Sequence, residues 1–180
     1  MIPQKLTLRN FMPYRDNVPP LDFNGIRLAS ICGDNGSGKS ALIDAITWAL
    51  WGQTRAGARN HDSLIHSQQN EMQVEFDFKV GEQLCRVIRK HAKPKRRQAS
   101  GQSSLDLFVT SSDFSQGSFT LISGDRITET QLKITDILHM DYDTFVNSAY
   151  LRQGHADQFT IADSADRKKV LLISSGFPAT

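Results

Sequence analysis

The chain has 180 residues, long enough to bury an ordinary core without disulfides or metals, and its 39% hydrophobic and 22% charged residues exclude a disordered chain. A net charge of +2, from 21 Lys and Arg against 19 Asp and Glu, is too small for the global field to hold a nucleic acid, so any such contact needs a local patch. The longest apolar stretches, such as Ala41 to Trp51, fall short of the roughly 20 residues of a membrane span, and Met1 to Phe11 lacks the apolar core of a signal peptide.

A cytoplasmic protein without a membrane partner is therefore expected. Cys32 and Cys85 have no zinc-ligand spacing and are read as reduced core thiols. The five histidines, His61, His66, His91, His139 and His155, share no metal-ligand spacing either.

In chain order, Lys5 to Arg9 alternates as a strand with Leu6 and Leu8 on one face, and Leu21 to Phe23 repeats the pattern, which predicts an antiparallel pair. Ile26 to Cys32 is apolar enough for a buried central strand. Lys39 to Trp51 is predicted helical, with Gly52 as the residue that ends it and an apolar stripe of Leu42, Ile43, Ile46, Ala49 and Leu50 widened by Trp48 and Trp51. The two tryptophans are read as packing residues. Residues 53–70 show no strand period and are read as a surface excursion.

Met72 to Val80 alternates cleanly as a strand, and Leu84 to Ile88 is its hairpin partner across Gly81. Leu105 to Val109 and Ser118 to Ile122 form another antiparallel pair. Thr128 to Leu138 reads as a helix capped around Thr128 and Glu129, with Leu132, Ile134, Ile137 and Leu138 as its apolar positions. Asp141 to Ser148 is a second short helix, Tyr150 to Gly154 an extended piece, and Ala165 to Ile173 a last helix.

The chemistry is concentrated in Gly33-Asp34-Asn35-Gly36-Ser37-Gly38-Lys39-Ser40, which fits G-x-x-x-x-G-K-[ST] in full. Glycines let backbone N–H groups turn inward and approach phosphate oxygens closely, which a Cβ would obstruct. Lys39 is expected to reach the terminal phosphates and the Ser40 hydroxyl to ligand Mg2+, while the following helix adds its positive N-terminal dipole. The expected phosphate-contacting residues are Asn35, Gly36, Ser37, Gly38, Lys39, Ser40 and Ala41. By itself this loop identifies a triphosphate site and no particular reaction.

Four blocks narrow the choice: Leu6-Thr7-Leu8-Arg9-Asn10-Phe11 with Tyr14-Arg15; the loop continued as Ala41-Leu42-Ile43-Asp44-Ala45-Ile46; Trp48-Ala49-Leu50-Trp51-Gly52; and Tyr150-Leu151-Arg152-Gln153-Gly154. Together they resemble the SbcC family of DNA-repair ATPases, SMC-like proteins of the ABC ATPase class, across roughly residues 4 to 173. The resemblance implies an α/β fold, the N-terminal lobe of a P-loop NTPase head of that class with an added antiparallel β layer. It also implies that Gln153 is the loop glutamine that completes Mg2+ coordination and senses the γ-phosphate; the plain alternative is a solvated amide. Asn10 and Arg15 are implied near the nucleotide, although Met12 stands where some relatives carry a basic residue. Ala41 replaces a hydroxyl residue common in relatives, which removes one α-phosphate hydrogen bond.

No second apolar strand ending in Asp-Glu, no serine-glycine-glycine signature and no late switch histidine is recognised in the chain. The resemblance places these in a C-terminal lobe joined through a long coiled coil, so this lobe is expected to be nearly inactive alone. Residues 174–180 do not read as heptads and are taken as a tail, foreign or the start of a truncated coil. The implied partners are that C-terminal lobe, a second ATP-bound head, an SbcD-type metallophosphoesterase nuclease, and DNA.

Lys90, Lys93, Lys95, Arg96 and Arg97 cluster around Pro94. They read either as a solvated loop or as a DNA-backbone contact, with Lys95, Arg96 and Arg97 as its candidates. Two other functions stay open: a chromosome-organising or recombination-mediator ATPase without a nuclease partner, and a small nucleotide kinase, which would need an acceptor pocket and an arginine-rich lid.

Overall fold

The computed structural model describes residues 1–55, 57, 61–94, 101–110 and 119–148. They fall into two units, Met1–Ile137 and Leu138–Thr180. In chain order the elements are β1 (Ile2–Arg9), β2 (Leu21–Asp22), α1 (Lys39–Trp51), a 3-10 turn (His61–Leu64), β3 (Glu71–Val80), β4 (Gln83–Ala92), β5 (Gln102–Thr110), β6 (Phe119–Leu121), α2 (Ile127–Leu138) and α3 (Tyr142–Ser148).

Six strands form one antiparallel sheet in the order β2-β1-β3-β4-β5-β6. Its inner face is set by the two-residue period, because the register aligns Leu6, Phe76, Val87 and Leu107 in one row and Leu8, Val74, Arg89 and Leu105 in the next. Apart from the arginine these are apolar, and all eight are buried. α1 packs over β3 and β4. The opposite face is polar; there Asp77 and Glu75 hold Arg86, whose guanidinium also lies 4.3 Å from the Phe119 ring centroid. Those two carboxylates hold the Arg86 pKa above its ordinary value, the Asp77 hydrogen bond contributing most.

Helix α1 runs over the predicted residues because both ends are fixed locally. Gly38 (φ 94) and Gly52 (φ 70) are left-handed, and the Gly52 N–H closes the helix on the Trp48 carbonyl. Its buried face differs from the expected stripe. Ala41, Asp44, Ala45, Thr47, Trp48, Ala49, Leu50 and Trp51 are buried, whereas Leu42, Ile43 and Ile46 are only half-buried. A buried Asp44 survives there because Arg55 grips both carboxylate oxygens, Nε at 3.1 Å and Nη2 at 2.9 Å.

The clearest correction concerns Ile26 to Cys32. The run expected as a buried central strand forms no strand, and Ile26, Ile31 and Leu28 are exposed, Leu28 by 94%. Among the described residues nothing pairs with it, and an apolar run becomes a central strand only when strands flank it on both edges. Cys32 is exposed with it, contrary to its reading as a core thiol, whereas Cys85 is buried, which raises its thiol pKa to about 11.

Residues 53–70 are more than a surface excursion, since Leu64 and Ile65 are buried and Ile65 bridges to Phe11. α2 starts at Ile127, so Thr128 lies inside it. Glu129 instead reaches back to the Asp125 N–H and Thr130 accepts from Gly124. Of the apolar positions expected in α2, Ile134 is fully buried but Leu132 is 64% exposed. In the second unit, Asp141 caps α3 by accepting from the Thr144 N–H at 2.7 Å. The pieces predicted at Tyr150 to Gly154 and Ala165 to Ile173 lie outside the described residues.

Candidate functional site

The loop 33–38 leads straight into α1. The helix start carries no side-chain cap and no acidic residue in its first turn, so its positive dipole end is not offset by a side chain of its own and suits an anion. Lys39 Nζ donates to the carbonyls of Gly33 (2.6 Å) and Asp34 (2.7 Å), which ties the ends of the loop together and leaves one of its three N–H donors for a phosphate. The Ser37 N–H donates to Asp34 O, and the Ala41 N–H to Gly38 O. Ser40 follows in the first helical turn, half-buried, where a hydroxyl can join a Mg2+ shell.

Gly38 is required for a second reason. A Cβ there would lie 2.8 Å from Pro13 Cγ and 3.1 Å from the Tyr14 hydroxyl, which donates to the Gly38 carbonyl at 3.1 Å. The turn after β1 therefore presses on the phosphate loop. It contains two left-handed residues other than glycine, Asn10 (φ 52) and Met12 (φ 51). It is held by Met12 N–H to Leu64 O, His66 N–H to Asn10 O, and His66 Nδ1 to Met12 O at 2.7 Å. Arg15 lies next in the chain, and its Nε donates to His66 Nε2 at 3.2 Å.

The far end of α1 is clamped. Arg89, 4% exposed, donates from Nε to the Ala49 carbonyl and from Nη2 to Gln131 Oε1, while Gln131 Nε2 donates to the Leu50 carbonyl. His61 Nε2 meets the Gly52 carbonyl at 3.2 Å, and burial holds its imidazole pKa below the ordinary value. No carboxylate among the described residues pairs with Arg89. Its charge rests on the negative end of the helix dipole and on the Trp48 ring, 5.9 Å away.

A family model described as AAA domain matches residues 5–172. The chain belongs to that family. This AAA domain is 36% identical over 155 residues to the SbcC component of the SbcCD nuclease of Deinococcus radiodurans, covering 86% of this chain and 16% of that protein. It is 31% identical over 171 residues to the DNA double-strand break repair Rad50 ATPase of Thermoplasma acidophilum, covering 95% and 17%. The chain thus spans 16–17% of the length of these curated relatives. A chain solved in work on ATP-driven dimerization and DNA-stimulated activation of SMC ATPases matches with a TM-score of 0.61 at 21% identity, over 95% of this chain and 98% of that one, which shows a shared fold. The resemblance to the N-terminal ATPase region of SbcC/Rad50-type, SMC-like proteins, and the fold class it implied, are borne out.

Within the AAA domain, Asn35, Gly36, Ser37, Gly38, Lys39, Ser40 and Ala41 are contiguous by sequence, and Tyr14 brings the turn bearing Arg15 against them. Gln153, Lys95, Arg96 and Arg97 lie outside the described residues. Sequence reasoning missed Tyr14 as the residue seated on Gly38, and it missed His66, Arg89 and Gln131 altogether. Tyr14 stood in a motif block without a role of its own, and no periodic or motif signal marks the other three, because each acts on a backbone carbonyl far away in sequence.

Burial lowers the Arg89 pKa to about 10. The folded value thus lies below the unfolded one, so burying this charge costs stability throughout the neutral range. At neutral pH the arginine is retained for its hydrogen bonds. Arg89→Ala, which orphans Ala49 O and Gln131 and opens a cavity under α1, is expected to cost about 3 kcal/mol. Thermal melts should fall by roughly 6–12 °C for a chain of this size. Arg89→Met, which keeps the volume and removes the buried charge, should lose less. An unchanged melting temperature in Arg89→Ala would show that the clamp carries no weight.

Proposed function

We propose that this chain is the ATP-binding lobe of an SbcC-type ATPase whose MgATP-driven head association controls DNA-end processing by a partner nuclease in double-strand-break repair. What supports the ATP reading is the phosphate loop: an uncapped helix start, a Lys39 with one donor to spare, and a Gly38 that admits no side chain. Ser40 and Gln153 would hold Mg2+, which when bound screens the phosphate charge. The chain's own residues bind and orient the triphosphate, Lys39 by charge and the loop by its backbone.

The need for a second lobe is supported by apolar surface around the loop. Ile26, Leu28 and Ile31 are exposed just before it, and Leu42, Ile43 and Ile46 are half-covered just after it. A C-terminal lobe that adds strands beside Ile26 to Cys32 would bury both sets, and the relatives are long enough to contain one. The test is size-exclusion chromatography of this chain with that lobe, with and without MgATP. The expected result is a stable pair of lobes that doubles in mass with MgATP; two lobes that never co-elute would overturn the reading.

The SbcD-type nuclease and DNA follow from the same family reading. Replacing Lys95, Arg96 and Arg97 together with alanine is expected to weaken DNA binding by the assembled head almost equally across sequences. The log–log salt slope should become shallower by up to about 0.9 per lost phosphate contact on duplex DNA. Filter binding at several salt concentrations measures both, and if affinity and slope stay put the loop is merely solvated.

A further inference from the structure

The turn 10–15 is an unusual way to leave a strand. Two residues other than glycine sit at φ 52 and φ 51, a strained conformation that persists only where surrounding contacts hold it. Beside the turn's own Tyr14 N–H to Phe11 O bond, several of the contacts that hold it come from the segment Leu64 to His66. The Leu64 carbonyl accepts from the Met12 N–H, Ile65 bridges to Phe11, the His66 N–H donates to the Asn10 carbonyl, and His66 Nδ1 donates to the Met12 carbonyl. What the turn gains is the seating of Pro13 and Tyr14 on Gly38, the glycine immediately before Lys39.

The ring chemistry of His66 is determined by its partners. A carbonyl only accepts, so Nδ1 carries the hydrogen given to Met12 O; an arginine Nε–H only donates, so Nε2 must offer its lone pair to Arg15. One neutral tautomer satisfies both and fixes the ring plane. The half-buried Tyr14 hydroxyl, whose pKa burial raises above its ordinary value, completes the chain of contacts to the Gly38 carbonyl, which also receives the Ala41 N–H.

We propose that His66 is a positioning residue for the nucleotide site: Nδ1 pins the left-handed turn that seats Tyr14 on the phosphate loop, and Nε2 orients the Arg15 guanidinium for the bound triphosphate. This rests on the ATP reading above. His66 itself touches no phosphate-loop residue among the described contacts. It acts through Met12–Tyr14 on the shape of the loop and through Arg15 on its charge. The two ring nitrogens carry separable duties, which makes the proposal testable by substitutions that remove one and keep the other.

Calorimetric titration of the chain with MgATP reads the outcome. His66→Asn retains an amide donor near the place of Nδ1 but no acceptor at the place of Nε2, so it should match Arg15→Ala, each about fivefold weaker than wild type. The double variant should be no weaker than either, the non-additivity of a shared interaction. His66→Ala, which also frees the turn, should lose about tenfold or more. Leu107→Ala, a core truncation on β5, should lower the melting temperature at least as much and leave ATP affinity of the folded protein unchanged, so instability alone would not mimic the effect.

Folded His66→Ala with wild-type affinity, or His66→Asn and Arg15→Ala losses that add in the double variant, would overturn the proposal. Should His66→Ala fail to fold, the His66→Asn and Arg15→Ala cycle decides. Lys39→Ala run in parallel separates the two levels of inference. If it binds ATP as well as wild type, the phosphate-loop reading itself fails; if it loses binding while the His66 variants do not, only the positioning role fails.

Discussion

Lys39→Ala is expected to weaken ATP binding by about a hundredfold while the chain stays folded. In the proposed site Lys39 Nζ would meet the terminal phosphates, and a hydrogen bond from a charged donor to a charged acceptor is among the strongest a protein makes. The same nitrogen latches the loop through the Gly33 and Asp34 carbonyls, so its removal also loosens the backbone that presents the other donors. Those two carbonyls lie on an exposed loop where water replaces the lysine, so stability should change little. Calorimetry of ATP binding with a thermal melt of the same sample checks both halves. An affinity within twofold of wild type would remove the phosphate loop from the site.

The chain alone, saturated with MgATP, is expected to hydrolyse ATP at least about a thousandfold more slowly than the same chain assembled with a C-terminal lobe. Phosphoryl transfer needs a group that positions the attacking water and donors that stabilise charge on the γ-phosphate. In the proposed assignment Lys39, Ser40 and Gln153 would hold the phosphates and the metal but would not orient water. Adding the C-terminal lobe should restore turnover, and Gln153→Ala in that assembly should reduce turnover more than it reduces ATP binding. Robust, Lys39-dependent turnover by the purified chain without any partner would show that the catalytic machinery is misassigned.

These expectations differ in how directly the residues carry them. The phosphate loop was legible because its chemistry is local: glycines at 33, 36 and 38, then lysine and serine, are consecutive in the chain and need no distant partner to be recognised. The limits of α1 were legible for the same reason, since a left-handed glycine stands at each end. β1, β3, β4, β5 and β6 followed from the two-residue alternation that any half-buried strand must show, and the structure changes only their lengths.

What the sequence showed by itself, then, is most of the elements, though not the fate of Ile26 to Cys32, and the motif of one contiguous loop. The tertiary structure decided everything that depends on what faces an element. Periodicity shows that Ile26 to Cys32 is apolar but cannot say whether strands flank it, and among the described residues none does. It marked Leu42, Ile43, Ile46, Ala49 and Leu50 with Trp48 and Trp51 as the buried stripe; Trp48, Ala49, Leu50 and Trp51 are buried, but Leu42, Ile43 and Ile46 are only half-buried and Ala41, Asp44 and Ala45 are buried instead. The residues that hold the loop in place were invisible for the same reason. His66 meets Met12 across 54 positions, Arg89 meets Ala49 across 40 and Gln131 meets Leu50 across 81, each through a backbone carbonyl that every residue type possesses. A carbonyl leaves no mark in the sequence, so only the folded chain shows which side chain it receives.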